Sequence, residues 1–160
     1  MRLRVLAVSL MCLVAASAGA QAKKSPAGKS PEVRIDYTQE TLPNGLNVIY
    51  HVDHSTPVAA VLLWYNVGSK MEQPGRTGFA HLFEHMMFQG SANAPKGMHF
   101  ATVESNGGVM NGSTHPDFTD YYEVLPSNKL GTALWLESDR MRSLAITDAN
   151  LTNQKEAVKQ

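Results

Sequence analysis

Apolar runs alternate with polar, turn-rich stretches along this chain, and the period of each run predicts an element. Val33, Ile35 and Tyr37 alternate with polar residues, Pro43-Asn44-Gly45 supplies a turn, and Leu46 to Tyr50 follows. This pattern predicts a β-hairpin. Val58 to Val67 is apolar at almost every position, which predicts a strand covered on both faces in the middle of a sheet. Gly78 to Gln89 reads as a helix capped by Thr77, with Phe79, Leu82, Phe83, Met86, Met87 and Phe88 covering so much of its circumference that it should be largely buried.

A second helix is expected from Met98 to Ser105, closed by Asn106-Gly107-Gly108. Val109 to Ser113 and Tyr121 to Leu125 predict two strands around a polar turn. Leu130 to Leu144 predicts a helix with Leu130, Leu134, Met141 and Leu144 near helical spacing, and Asn150 to Gln160 begins another. Strands followed by mixed helices and strands give an α+β fold, with an antiparallel or mixed sheet and helices packed on one face.

The first residues stand apart. Arg2 and Arg4 precede an apolar stretch from Val5 to Ala16, and Ala18-Gly19-Ala20 and Ala20-Gln21-Ala22 offer small-residue cleavage sites. Residues 1–22 therefore read as a signal peptide, too short in its apolar part for the roughly 20 residues that span a bilayer. Lipidation is not expected, because Met11 rather than a small residue precedes Cys12. Residues 23–36 read as a basic, Pro- and Ser-containing linker leading into the first strand, and 37–160 as the folded domain. The expected location is outside the cytoplasm, periplasmic or secreted, with no membrane segment in the mature form.

Composition narrows the chemistry. Fourteen basic residues balance fourteen acidic ones in 160 residues, so no broad cationic surface exists for nucleic acid. Cleavage after residue 22 removes two arginines and no acid, leaving twelve basic and fourteen acidic side chains, a net charge of −2. It also removes Cys12, the single cysteine. A disulfide scaffold, a thiolate nucleophile and cysteine-ligated metal are thereby excluded, and any metal must rest on histidine and carboxylate.

That chemistry concentrates in His81-Leu82-Phe83-Glu84-His85. At about 100° per residue, His85 lies roughly 40° from His81 and Glu84 roughly 60° to the other side, so the three share one helix face. Two imidazoles at i and i+4 can hold one Zn2+, and the glutamate can take a proton from a water that the cation acidifies, which is the chemistry of amide hydrolysis. Similar trios occur on solvated helices without a metal. Here the flanking residues are Phe79, Phe83, Met86, Met87 and Phe88, and an unpaired polar trio in such surroundings would cost several kcal/mol.

The His81-Leu82-Phe83-Glu84-His85 order, H-x-x-E-H, resembles the M16 family of metallopeptidases, the group of pitrilysin, insulysin and mitochondrial processing peptidase. Leu42-Pro43-Asn44-Gly45-Leu46, Val67-Gly68-Ser69, Gly78-Phe79-Ala80-His81, the stretch Gly107 to Thr114 and Asp117-Phe118-Thr119-Asp120-Tyr121-Tyr122 resemble family landmarks in the family's order. The resemblance covers Tyr37 to Gln160. It implies an M16-type, LuxS/MPP-like half, with His81 and His85 as zinc ligands, Glu84 as general base, and Asn111 on a strand that lies beside an extended peptide or unfolded protein substrate.

The resemblance also marks departures. A glutamate on a downstream helix completes the site in the family, and the pattern places it just beyond Gln160, so the chain reads as truncated at its C-terminus. Gln154 falls near a position where some relatives carry a supporting glutamate, and Glu156 is a weak substitute for the missing ligand. A second M16-type domain or subunit is the expected partner. The resulting expectation is a zinc metalloendopeptidase, with a non-catalytic M16-like partner subunit or a peptide-binding module as the alternatives. His51, His54, His99 and His115 read as surface residues, and Trp64 and Trp135 as core.

Overall fold

A computed structural model describes residues 34–159, so the signal peptide, most of the linker and Gln160 lie outside the described residues. The chain divides into two compact units, split between Val52 and Asp53. In the first, β1 (Thr38–Thr41) and β2 (Asn47–Tyr50) form the expected antiparallel hairpin, with Thr38 opposite Tyr50. Gly45 takes a φ of 88° and donates its N–H to Leu42 O at 2.8 Å, closing the turn.

The second unit is built on three antiparallel strands, β3 (Val58–Tyr65), β4 (Val109–Thr114) and β5 (Thr119–Pro126), in the order β3-β5-β4. The sheet is antiparallel throughout, and β5 rather than β3 is central. Alternation along β5 buries Thr119, Tyr121, Glu123 and Leu125, while the opposite parity shares a face with Leu62, Trp64 and Asn111 through the register Leu62↔Tyr122↔Asn111. Among the described residues helices cover only the first face. The expectation that β3 is covered on both sides therefore fails: Val58, Leu62 and Trp64 are exposed, and only Ala59, Val61, Leu63 and Tyr65 turn inward. An unbroken apolar run does not reveal which parity is covered.

Among the described residues there are four α-helices, α1 (Phe79–Met86), α2 (Met98–Ser105), α3 (Leu130–Ser143) and α4 (Asp148–Val158). Ala94, Val103, Leu125, Ala133 and Leu136 form the core between α2, α3 and β5, with Val61 and Met110 packed against it. On α3 the inward face is Ala133, Leu136, Glu137 and Arg140, whereas Leu130, Leu134, Trp135 and Met141 are exposed. This reverses the face expected from leucine spacing, and both tryptophans lie outside the core. Trp64 stacks on Phe118 at 3.6 Å instead.

Asp139 ties α3 to the segment between α1 and α2, accepting hydrogen bonds from Ser91 Oγ at 2.6 Å, Asn93 Nδ2 at 2.7 Å and Asn93 N at 3.0 Å. These donors hold its carboxyl down at about 2. Gly68 is pressed against the loop before β5: a Cβ there would stand 2.2 Å from His115 O. Among the described residues no helix is long and apolar enough to cross a membrane.

Candidate metal centre

The start of α1 is set by an anion rather than by Thr77. The helix is capped by Gly78 in the left-handed region, φ 87°, with no side-chain cap bond. Glu72 fills that role from the preceding loop, accepting the N–H groups of Gly78 and Ala80 at 2.8 Å each. Those backbone donors hold its carboxyl below the usual range. Helix α1 then buries Ala80, Leu82 and Met86 and leaves Phe79 and Phe83 half exposed, so it is amphipathic instead of largely buried.

One turn of α1 places His81 Nε2 and His85 Nε2 3.1 Å apart. On the far side of the His85 ring, Nδ1 faces Gln154 Oε1 of α4 at 3.1 Å. An amide oxygen only accepts, so the Nδ1 carries the proton and Nε2 presents a lone pair toward His81. The Gln154 amide nitrogen meanwhile donates to Asn153 Oδ1 at 2.8 Å, which fixes that orientation. Two nitrogens bound to one tetrahedral cation at 2.0–2.1 Å would lie about 3.3 Å apart. The pair fits a shared zinc ion.

Glu84, on the same helix, is half-buried beside the pair and accepts a hydrogen bond from Thr114 Oγ1 at 2.5 Å. Asn111 lies on β4, an edge of the three-stranded sheet, with its side chain exposed and its Oδ1 accepting Gly112 N–H at 2.9 Å. The structure thus gathers His81, His85 and Glu84 on one turn and leaves Asn111 on the open sheet face. Glu156 is turned elsewhere, paired with Lys159 at 2.8 Å in an exposed position. Among the described residues no third carboxylate or histidine joins His81 and His85.

A second histidine–carboxylate group is buried under the sheet. His99 of α2 is 5% exposed, against its reading as a surface residue, and its Nε2 meets Glu123 Oε1 of β5. Arg140 Nε donates to Glu137 Oε2 at 2.7 Å, and the guanidinium lies 4.5 Å over the Tyr121 ring and 5.5 Å from Phe88. Burial pushes Glu137 up to about 7 and raises Glu123, with Arg140 opposing both, and burial and Arg140 lower His99 to about 4. Ligand atoms of His99, Glu123 and Glu137 come within 4.8 Å of one another, but the guanidinium already supplies their positive charge. His115 is exposed near Ser113 and Asp120, and His51 and His54 are exposed as expected.

Thr114 and Gln154 are neighbours of this turn that the H-x-x-E-H motif alone does not reveal, although the family resemblance draws attention to Gln154. Thr114 lies in the Gly107 to Thr114 stretch, but nothing in sequence pairs it with Glu84, and no spacing rule links Gln154 to His85.

The family model for Insulinase (Peptidase family M16) matches residues 47–160. This chain belongs to peptidase family M16. Among M16 relatives it is 34% identical over 119 residues to the Helicobacter pylori "Zinc protease PqqE", covering 74% of this chain and 27% of that protein. It is also 30% identical over 170 residues to the human "Cytochrome b-c1 complex subunit 1, mitochondrial", covering 96% of this chain and 35% of that protein. The fold matches the crystal structure of a protease from Helicobacter pylori with a TM-score of 0.74 and 31% identity, over 78% of this chain and 30% of that one. Pitrilysin matches with a TM-score of 0.70 and 25% identity, over 84% and 14%. The chain therefore spans roughly a quarter to a third of the length of these two curated relatives.

Proposed function

We propose that this M16 chain carries the zinc-binding and proton-transfer half of an exported metalloendopeptidase. The observation that carries the reading is the convergence of His81 Nε2 and His85 Nε2 at 3.1 Å, with the Glu84 carboxylate on the same helical turn. His81 and His85 would hold Zn2+. When bound, zinc lowers the pKa of a water to about 7 and polarises a peptide carbonyl.

Glu84 takes the proton of the attacking water and returns it to the departing amine. The exposed edge of β4 accepts an extended peptide as an added strand, with Asn111 among the groups that position it. The third zinc ligand comes from outside the described residues, and a second M16-type domain or subunit supplies groups that stabilise charge on the carbonyl oxygen.

A second reading has a specific observation behind it. One relative matching almost all of this chain is named as a subunit of the cytochrome b-c1 complex and not as a protease, so a non-catalytic subunit role is the alternative. Zinc analysis beside a peptide assay on the full-length protein separates the two. Glu84→Gln should keep zinc and lose cleavage by at least about 100-fold, whereas His81→Ala should lose zinc. Wild-type protein that takes up no zinc or cleaves no peptide overturns the enzyme reading, whereas a Glu84→Gln variant as active as wild type overturns only the role of Glu84 as base.

A further inference from the structure

The Glu84 carboxylate is not held by its own helix. Among the described residues, its hydrogen-bond partner is Thr114, thirty positions downstream, whose Oγ1 donates to Glu84 Oε2 at 2.5 Å. Thr114 is the last residue of β4 and pairs with Thr119 of β5, so its place is set by the sheet. Thr119 is itself buried and donates through Oγ1 to Val67 O at 2.9 Å, which ties this end of the hairpin to the chain beyond β3.

Strand parity decides what Thr114 reaches. Residues 110, 112 and 114 share the face that the helices cover, and 109, 111 and 113 the other. Thr114 can therefore touch α1 while the Asn111 side chain remains on the open face. The hydroxyl engages one carboxylate oxygen and leaves Oε1 for a second partner. A glutamate side chain on a helix surface has several rotamers of similar energy, and one short hydrogen bond from a fixed strand selects among them.

We propose that Thr114 is a positioning residue that locks the Glu84 carboxylate to the end of β4. The base and the strand edge proposed to bind peptide thereby share one register. This proposal rests on the reading of Glu84 as general base. Its consequence is that strand binding and proton transfer depend on Thr114 differently. Peptide affinity comes from the β4 backbone, which the side chain does not alter, whereas kcat depends on where the carboxylate stands.

The test compares Thr114→Val and Thr114→Ser in the full-length zinc-loaded protein. Valine keeps the shape and the β-branch but removes the donor. Thr114→Val should lower kcat roughly 10- to 100-fold, the scale of a base misplaced by about 1 Å, with KM, zinc stoichiometry and thermal midpoint unchanged. Thr114→Ser should recover most of the loss. In the zinc-free protein at one fixed pH, the 13C resonance of the Glu84 side-chain carboxyl, assigned by its absence in Glu84→Gln, should move in Thr114→Val and return in Thr114→Ser.

An unchanged kcat and carboxyl resonance in Thr114→Val would overturn the proposal, as would a serine variant as impaired as valine. A fall in thermal midpoint matching the activity loss, with the resonance unmoved, would assign Thr114 a purely structural role and also overturn it. Glu84→Gln keeps the two readings apart. Full cleavage by that variant defeats the general-base reading, whereas loss of cleavage there with normal cleavage by Thr114→Val defeats only the positioning role.

Discussion

Gln154 of α4 accepts the Nδ1 proton of His85 of α1 at 3.1 Å across 69 positions of sequence. The partner is 8% exposed, so water does not readily replace it. Fixing the proton on Nδ1 leaves the Nε2 lone pair for the proposed zinc ion, and partners of this kind commonly contribute 10- to 100-fold in metal affinity. Gln154→Leu should therefore weaken zinc binding by about that factor, while Gln154→Glu, which still accepts, should retain it. A competitive zinc titration checks both. Equal affinity in wild type and Gln154→Leu would remove Gln154 from the site.

Arg140 is fully buried with Glu137 and Glu123, and among the described residues neither carboxylate has another cation beside it. Arg140→Met should leave that negative charge uncompensated and cost about 3–5 kcal/mol, readable as a shift in urea midpoint. Replacing Glu137 by Gln in the same chain should recover part of it, because the buried charge is reduced. A single variant as stable as wild type would show that the network contributes little.

The same network predicts a pH profile. Folding holds His99 at about 4 against 6.5 and Glu137 at about 7 against 4.5. For His99 the folded chain binds fewer protons, so its contribution improves as pH rises from about 4 to 6.5. For Glu137 the folded chain binds more, and its contribution worsens as pH rises from 4.5 to about 7. The two slopes oppose each other over most of this range. His99→Gln removes the first, so its stability should fall between pH 5 and pH 7, relative to wild type, by on the order of 2 kcal/mol. Urea unfolding of both proteins at the two pH values decides it, and parallel profiles would contradict the assignment.

Gly68 permits a backbone approach that no other residue can make. A Cβ would sit 2.2 Å from His115 O and 2.7 Å from Phe118 N, and backbone cannot swing aside as a side chain does. Gly68→Ala should displace residues 115–118 and lower the thermal midpoint by several degrees, in line with about 1–3 kcal/mol of overpacking. An unchanged midpoint and unchanged amide resonances for these residues would show that the loop yields freely.

Export is the remaining expectation. Intact mass of protein recovered from a secreting host should place the mature start near Gln21 or Lys23, as the Ala-Gly-Ala and Ala-Gln-Ala sites require. Retention of Met1 in that product would refute it.

The sequence alone determined what depends on neighbours along the chain. His81, Glu84 and His85 share a face because a helix repeats every 3.6 residues, and the 98–105 helix and the hairpin turn at Gly45 follow from local apolar period and glycine placement. Only tertiary structure decided which faces are covered. Val58 to Val67 is apolar at both parities, and α3 offers one stripe of Leu130, Leu134 and Met141 and another of Ala133, Leu136 and Arg140. Burial selects the second stripe because Glu137 and Arg140 neutralise each other beneath β5, a pairing that hydrophobicity by residue does not register. The partners of the site belong to the same class. Thr114 for Glu84, Gln154 for His85 and Glu72 for the start of α1 come from other elements, and a hydrogen bond between distant segments exists only once both are folded into reach.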